Sequence, residues 1–502
     1  MAADGFAGAG WRRRLAVAAP LGATAVGAIS IAACGSGSRV GGSPSASGSQ
    51  AAASSPPRNV GAPSVLGLAQ SGLRLVASAG SWSGKPGSLT FSWRRCDAVG
   101  GRCRAIAGVT APIYTVAAPD VGSTLRVSVS AANVRGRSRP AQSARTSVVA
   151  PAGRVVHLEY VFNDGPVSVY SIDQGFRLLE TFTLPGTQRG VRGVTVSPAT
   201  GTMFVSYGGD GGGDGNGSVL AYDLVSRRVR WSVNLNSGVD SGAVNPDGTL
   251  LYMPDGESSS DGDWYILDTT DGKVVGKIET AGSGPHDGVM SADGLVLQMG
   301  DTGYSRLSIF NTQTSRVQEQ VGPLVGGVRP NTINGSDSIG FTTANSFDGF
   351  QVSSITQPVR VLYTESFGRC DESSTCSHGI SLSPDNSQLY VIDHVHKQVQ
   401  VWDVHGVARG IPPAHLASIP VDGLEGSEKR CAYDCGRSGW LQHSLDGRYV
   451  FVGDSGDVIE TATRRVVAKI QNMLNTRKFV EIDWSDGVPV ASSGRQGVGQ
   501  VP

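Results

Sequence analysis

The chain has 502 residues, 69 of them glycine and 25 proline, and its 42 acidic side chains balance 42 basic ones to zero formal charge. That length, with so many turn formers, excludes a single small core and points to more than one domain. No basic stripe is interleaved with aromatics, so a surface tracking a phosphate backbone is excluded and no nucleic-acid partner is expected.

At the N-terminus Arg12, Arg13 and Arg14 precede a weakly apolar run, Leu15 to Ala33, that ends in Ile31-Ala32-Ala33-Cys34. The run is rich in Ala and Gly, contains Pro20 and lacks the long Leu, Ile and Val core of a spanning helix. This pattern resembles a bacterial lipoprotein signal. The resemblance implies that residues 1–33 are removed, that the Cys34 sulfur is lipidated, and that the chain sits at the cell membrane facing the extracytoplasmic side. The loss takes away three arginines and Asp4, leaving the remainder at −2. Residues 34–60 are mostly Ser, Gly, Ala and Pro, a composition that buries no core and reads as a disordered tether.

The other six cysteines fall into close pairs, Cys96 with Cys103, Cys370 with Cys376, and Cys431 with Cys435. In an oxidising compartment such spacings make loop staples, with the connectivity among the last four left open. None has the C-x-x-C spacing of a thiolate zinc site, and no metal is assigned to them.

Residues 61–150 form the first folded unit, with alternating runs such as LTFSW (89–93) and TLRVSVSAAN (124–133) between Gly and Pro turns. In the second run Leu125, Val127, Val129 and Ala131 share one face, as in a half-buried antiparallel strand. The set resembles the small immunoglobulin-like modules of bacterial surface proteins. That resemblance implies a β-sandwich with Trp93 in its core, Tyr114, Asp120 and Gly122 at the corner before the last strands, and a spacer role. Cys96 and Cys103 are too close in sequence to bridge two sheets and are expected to staple a hairpin.

The rest repeats. Asp247, Asp293, Asp385 and Asp446 each stand in a turn after a first strand, and Asp255, Asp301, Asp393 and Asp454 follow at a constant offset. Asp337 and Asn345 make a fifth such pair, and Asp223, Asp268, Asn311, Asp403 and Glu460 end the next strand. A constant offset marks these acids as turn formers: the first closes a tight turn and the second caps the next. Each repeat is then four short strands, which bury both faces only by packing radially on their neighbours. The tetrads Tyr252-Met253-Pro254-Asp255 and Tyr390-Val391-Ile392-Asp393, each between a turn aspartate and a V-x-D-like strand end, resemble the YVTN family of β-propellers, whose relatives include lactonases and lyases. A looser copy runs from 195 to 225. The last blade is expected to be shared, with an inner strand from 478–487 and outer strands from 155–184. The expected fold is all-β, a seven-bladed β-propeller over residues 154–502 preceded by the small Ig-like β-sandwich.

Non-repeated residues where each blade enters its inner strand are the candidates for function. They are Arg192, Asp240, His286, Arg329, His378, Trp440 and Lys478, a ring of acid, base, imidazole and indole at one mouth of the channel. The expected role is a non-catalytic module binding a small-molecule or protein ligand, on a monomeric chain. The alternative is an extracytoplasmic lactonase- or lyase-like enzyme, with His286 or His378 as the catalytic base and Arg192 or Lys478 stabilising an anion. A quinone-dependent dehydrogenase would need a tryptophan-rich blade signature that this chain lacks. Two imidazoles with only Asp240 as a third ligand do not make a metal set, and none is assigned. The acidic glycine-rich loops 208–218 and 255–263 offer oxygens to calcium, the one cofactor considered, but fit no EF-hand pattern and are read as flexible turns. His394 and His396 are expected on a solvated outer part, and His443 either in the channel or between blades. The Cys370–Cys376 and Cys431–Cys435 loops are expected to wall the mouth.

Overall fold

A turn aspartate acts locally, and each of the four main copies does so in the same way. Asp247, Asp293, Asp385 and Asp446 accept through Oδ1 from the backbone N–H two residues on, at 3.0, 3.0, 3.0 and 2.9 Å. These Asx turns return the chain antiparallel and set the strand spacing. Asp223, Asp268, Asn311 and Asp403 do the same at the turn after the third strand.

The computed structural model describes residues 55–66, 69–153, 155–370, 376–428 and 436–493. Cys34, the run before it, Cys431 and Cys435 lie outside the described residues. The chain is all-β, 51% strand and 5% helical, and among the described residues no helix is long and apolar enough to cross a membrane.

The first unit begins with the strand Arg58–Gly61, inside the stretch read as tether. This strand pairs with Ser81–Ser83; a three-stranded sheet holds Ser64–Leu66, Arg74–Ser78 and Ile113–Thr115; and a five-stranded sheet is built on Ser88–Cys96 and Thr124–Asn133. Leu125, Val127, Val129 and Ala131 are all buried, as the alternation requires. Trp93 is fully buried among them and donates its indole N–H to Ala111 O at 2.9 Å. At the corner Asp120 accepts from Tyr114 Oη at 2.6 Å, from Arg95 Nε at 2.6 Å and from Ala117 N at 2.8 Å. The Cys96–Cys103 disulfide closes the hairpin that pairs Arg94 with Ala105, and a second disulfide joins Cys370 to Cys376.

Beyond residue 154 the chain is a β-propeller. Among the described residues six four-stranded sheets follow one another, each with its strands in chain order, beginning with Val191–Ser197, Thr202–Gly208, Gly217–Asp223 and Arg228–Asn234. Burial falls from the inner strand, where every residue of Val191–Ser197 is buried, to the mostly exposed Arg228–Asn234. Inner strands of adjacent sheets run parallel and close: Ser241 bridges Asp287, and Gly288 N donates to Ser241 O at 3.0 Å. Gly193 is required by that approach, since a Cβ there would stand 2.7 Å from Ser241 Cα.

The remaining sheet is made by the two ends of the propeller segment. Its order is Arg177–Thr183, Pro166–Ser171, Val155–Phe162, Phe479–Ser485, Val488–Ser492. The last strand is an addition to the four expected. It follows Asp486 and Gly487, both at positive φ, the signature of a two-residue hairpin turn.

Candidate functional site

Each inner strand runs away from the end where the chain enters it. The second strand returns to that end, so the loop after every second strand and the entry to every first strand share one face. Arg192, His286, Arg329 and Trp440 sit at the first or second residue of the inner strands Val191–Ser197, Pro285–Met290, Val328–Ile333 and Trp440–His443. Asp240 and His378 lie just before Ala243–Val244 and Ile380–Leu382, and Lys478 just before Phe479–Ser485. Two loops after second strands add Asp210 and Glu257 to the same face.

Arg192 is buried and paired through Nη2 with Asp210 at 2.7 Å and Asp240 at 2.9 Å, with Glu257 at 3.8 Å. Burial works against the charge of this guanidinium, but Asp240, Asp210 and Glu257 outweigh it and raise its pKa. Burial alone would raise the Asp240 carboxyl; Arg192 and then His286 overturn that and hold it well below the usual range. For Glu257 burial is again opposed, here by His286 and Arg329, giving about 2, whereas burial and the Asp240 charge push Asp210 up to about 7. Arg329 Nη1 donates to Glu257 Oε2 at 2.7 Å, and its Nε donates to Asn345 Oδ1.

His286 Nδ1 lies 3.2 Å from both Asp240 Oδ2 and Glu257 Oε1. A carboxylate only accepts, so Nδ1 carries a proton; the buried Nε2 has no hydrogen-bond partner. His378 stacks beside it, ring centroids 6.0 Å apart and planes inclined 29°. Its Nδ1 must donate to Gly439 O at 3.0 Å, because a carbonyl has no proton to give, and Nε2 is the acceptor. Burial, then Arg477 and Arg329, keep this imidazole neutral, its pKa well below the ordinary value.

Trp440 meets His378 edge-on at 5.8 Å and otherwise packs in a core cluster with Phe451, Met473 and Phe479. Lys478 lines, with Arg192, Glu428 and Arg477, a cavity of about 30 Å³, room for roughly one water. Donor atoms of Asp240, Glu257 and His286 lie within 4.8 Å of one another, close enough for a metal ion. Arg192 and Arg329 already neutralise those carboxylates, which removes the charge a divalent cation would satisfy.

Asp210 and Glu257 were not among the expected site residues, and the loops that hold them are not the flexible turns expected. Glu257 N donates to Asp210 Oδ1 at 3.0 Å, Ser258 N to Asp210 O at 3.0 Å, and Ser258 Oγ to Asp214 Oδ2 at 2.5 Å. The two loops lace together, and glycine allows the backbones to approach. Their position after second strands was the sequence signal that could have placed them. Asp454 also differs from a simple cap: its Oδ2 accepts from Ser438 N and Gly439 N, both at 3.0 Å, and so anchors the entry of its own inner strand. His443 lies between sheets, its Nδ1 2.8 Å from Ser381 Oγ. His394 and His396 are engaged by Arg437 O and Asp393. Residues 371–375 and 429–435 lie outside the described residues, so the expected cysteine walls do too.

No family model matches the chain, and no curated protein matches it. Solved structures do. A functionally unknown protein from Desulfotomaculum acetoxidans superposes with a TM-score of 0.50 at 12% identity, covering 64% of this chain and 98% of that one. The periplasmic gluconolactonase PpgL of Pseudomonas aeruginosa gives 0.49 at 16% identity over 68% and 98%. The β-propeller domain of Myceliophteria thermophila Cps50 (Swd1) gives 0.41 at 12% over 58% and 86%. At these identities the likeness speaks to fold alone.

Proposed function

We propose that the chain is a lipid-anchored, extracytoplasmic binding protein. In this reading an Ig-like module over residues 61–150 spaces a seven-bladed propeller from the membrane, and the propeller mouth receives a hydrogen-bond-donating group, an amine or a hydroxyl, of a small molecule or protein partner. One observation carries it: His286 Nε2 is a buried nitrogen without a hydrogen-bond partner, its ring pinned through Nδ1 by two carboxylates and set beside a second imidazole, His378, whose Nε2 accepts. Buried polar atoms are nearly always satisfied, so the site calls for a polar group from outside, and the His378 acceptor selects one that donates.

The lactonase- or lyase-like alternative needs a base, an electropositive group and space for substrate. The base is available in His286, but Arg192 is engaged by Asp210 and Asp240, and the cavity beside it and Lys478 is about 30 Å³. Binding a protruding group from outside fits that space better than enclosing a lactone.

The test is a thermal-shift screen of the full-length chain in detergent against polyamines, amino sugars and lactones, repeated with His286→Ala/His378→Ala. Arg192 and Arg329 still pair the carboxylates in that variant, so it is expected to fold and to lose the rise in midpoint that a donor-bearing compound gives the wild type. A rise of equal size in the variant would refute the mouth as the binding site. Lactone turnover abolished by His286→Ala would replace binding with catalysis.

A further inference from the structure

A second cluster sits at the other end of the channel, on the sheet made by the two ends of the propeller segment. Val155–Phe162 and Phe479–Ser485 run antiparallel with His157 opposite Asp483 and Glu159 opposite Glu481. Residues two apart on a strand share a face, so these four form a square on one side of the sheet. His157 Nδ1 is 2.7 Å from Asp483 Oδ1 and 3.6 Å from Glu481 Oε1, and donor atoms of the three lie within 4.8 Å of one another. Glu159 is fully buried beside them, and neither of its carboxylate oxygens has a hydrogen-bond partner.

That arrangement lacks what settles the mouth. Three carboxylates face one imidazole, and no arginine or lysine is among the groups acting most strongly on Glu159, Glu481 or His157. One imidazole balances one carboxylate, and burying the other two is costly unless each takes up a proton or they share a cation. The ligands are nonetheless held in place: Glu481 Oε2 accepts from Leu445 N at 2.7 Å, and the backbone N–H of His157 donates to Asp173 Oδ2 at 2.9 Å. His157 and Asp483 also line a cavity of about 440 Å³, which gives an ion a way in.

We propose that His157, Glu159, Glu481 and Asp483 bind a divalent transition-metal ion of the zinc or manganese class. An imidazole nitrogen with carboxylate oxygens suits these ions, and the nitrogen disfavours calcium and magnesium. The ion takes the place of the proton on His157 Nδ1, which leaves to solvent as the metal binds. Because His157 and Glu159 come from the start of the propeller and Glu481 and Asp483 from its end, the bound ion ties the ring shut.

The full-length chain in detergent, stripped with EDTA and then incubated with ZnCl2 or MnCl2, is expected to retain about one equivalent of metal after desalting. Its thermal midpoint is expected to rise with metal present, and protons to be released on binding. Asp483→Asn and Glu159→Gln are each expected to lose the retained equivalent; the second replaces a buried carboxyl that makes no hydrogen bond with an amide of the same size, so loss of folding is not expected to obscure it. His286→Ala is expected to keep it. Failure of the wild type to retain either ion, equal retention in Asp483→Asn and Glu159→Gln, or loss in His286→Ala, would each overturn the assignment.

Discussion

Arg192 stands within 2.7 to 3.8 Å of Asp210, Asp240 and Glu257, and shares the last with Arg329. Removing one member of a buried ion cluster leaves its partners charged in a poorly solvating place. Arg192→Met is therefore expected to destabilise the chain by about 3–5 kcal/mol, read as the shift of a denaturant midpoint. A loss below about 1 kcal/mol would mean that water replaces the guanidinium at little cost. Asp240 and His286 could be found in the sequence because each stands at the same distance before a turn aspartate, Asp247 and Asp293, and Arg192 because it holds the matching place in the looser copy. The loop position of Asp210 and Glu257 was also legible, but their pairing was not, because glycine-rich loops have no periodicity and their hydrogen bond spans 47 residues.

Between elements, His443 shows how neighbouring sheets depend on protonation. It lies in the inner strand Trp440–His443, packs edge-on against Tyr390 at 4.8 Å, and its Nδ1 meets Ser381 of the adjacent inner strand. Burial pushes its pKa down to about 3 from 6.5. The unfolded chain takes up a proton below pH 6.5 that the folded chain refuses, so stability is lost as pH falls from about 6.5 toward 3 and is unaffected above. At pH 4.5 the loss from this group is about 2–3 kcal/mol. His443→Gln is expected to flatten that limb of a plot of midpoint against pH; an unchanged slope would assign the acid sensitivity to other groups. The sequence left open whether His443 faced the channel or a neighbour, since an inner strand has both surroundings. The added strand Val488–Ser492 was legible in its Asp486-Gly487 turn but was masked by the same dipeptide recurring inside the repeats.

At the scale of the whole molecule, the two ends of the propeller pair in one sheet, which closes the run of four-stranded sheets. On the proposed reading, where the molecule resides depends on Cys34. Cys34→Ser is expected to move the chain from the detergent phase to the aqueous phase in a phase-separation assay, since in that proposal the lipid supplies the membrane affinity. Equal partition of the two proteins would discard the anchor.

The amino-acid sequence by itself determined the β content, the repeats and the ring of entry positions. The reason is that a turn aspartate closes its hydrogen bond within two residues, so spacing along the chain records it directly. Only the tertiary structure decided which charges meet: Arg192 with Asp210 and Asp240, His286 with Glu257, His157 with Asp483. Those partners come from different strands or sheets, and an ion pair depends on separation in space, which no local pattern encodes.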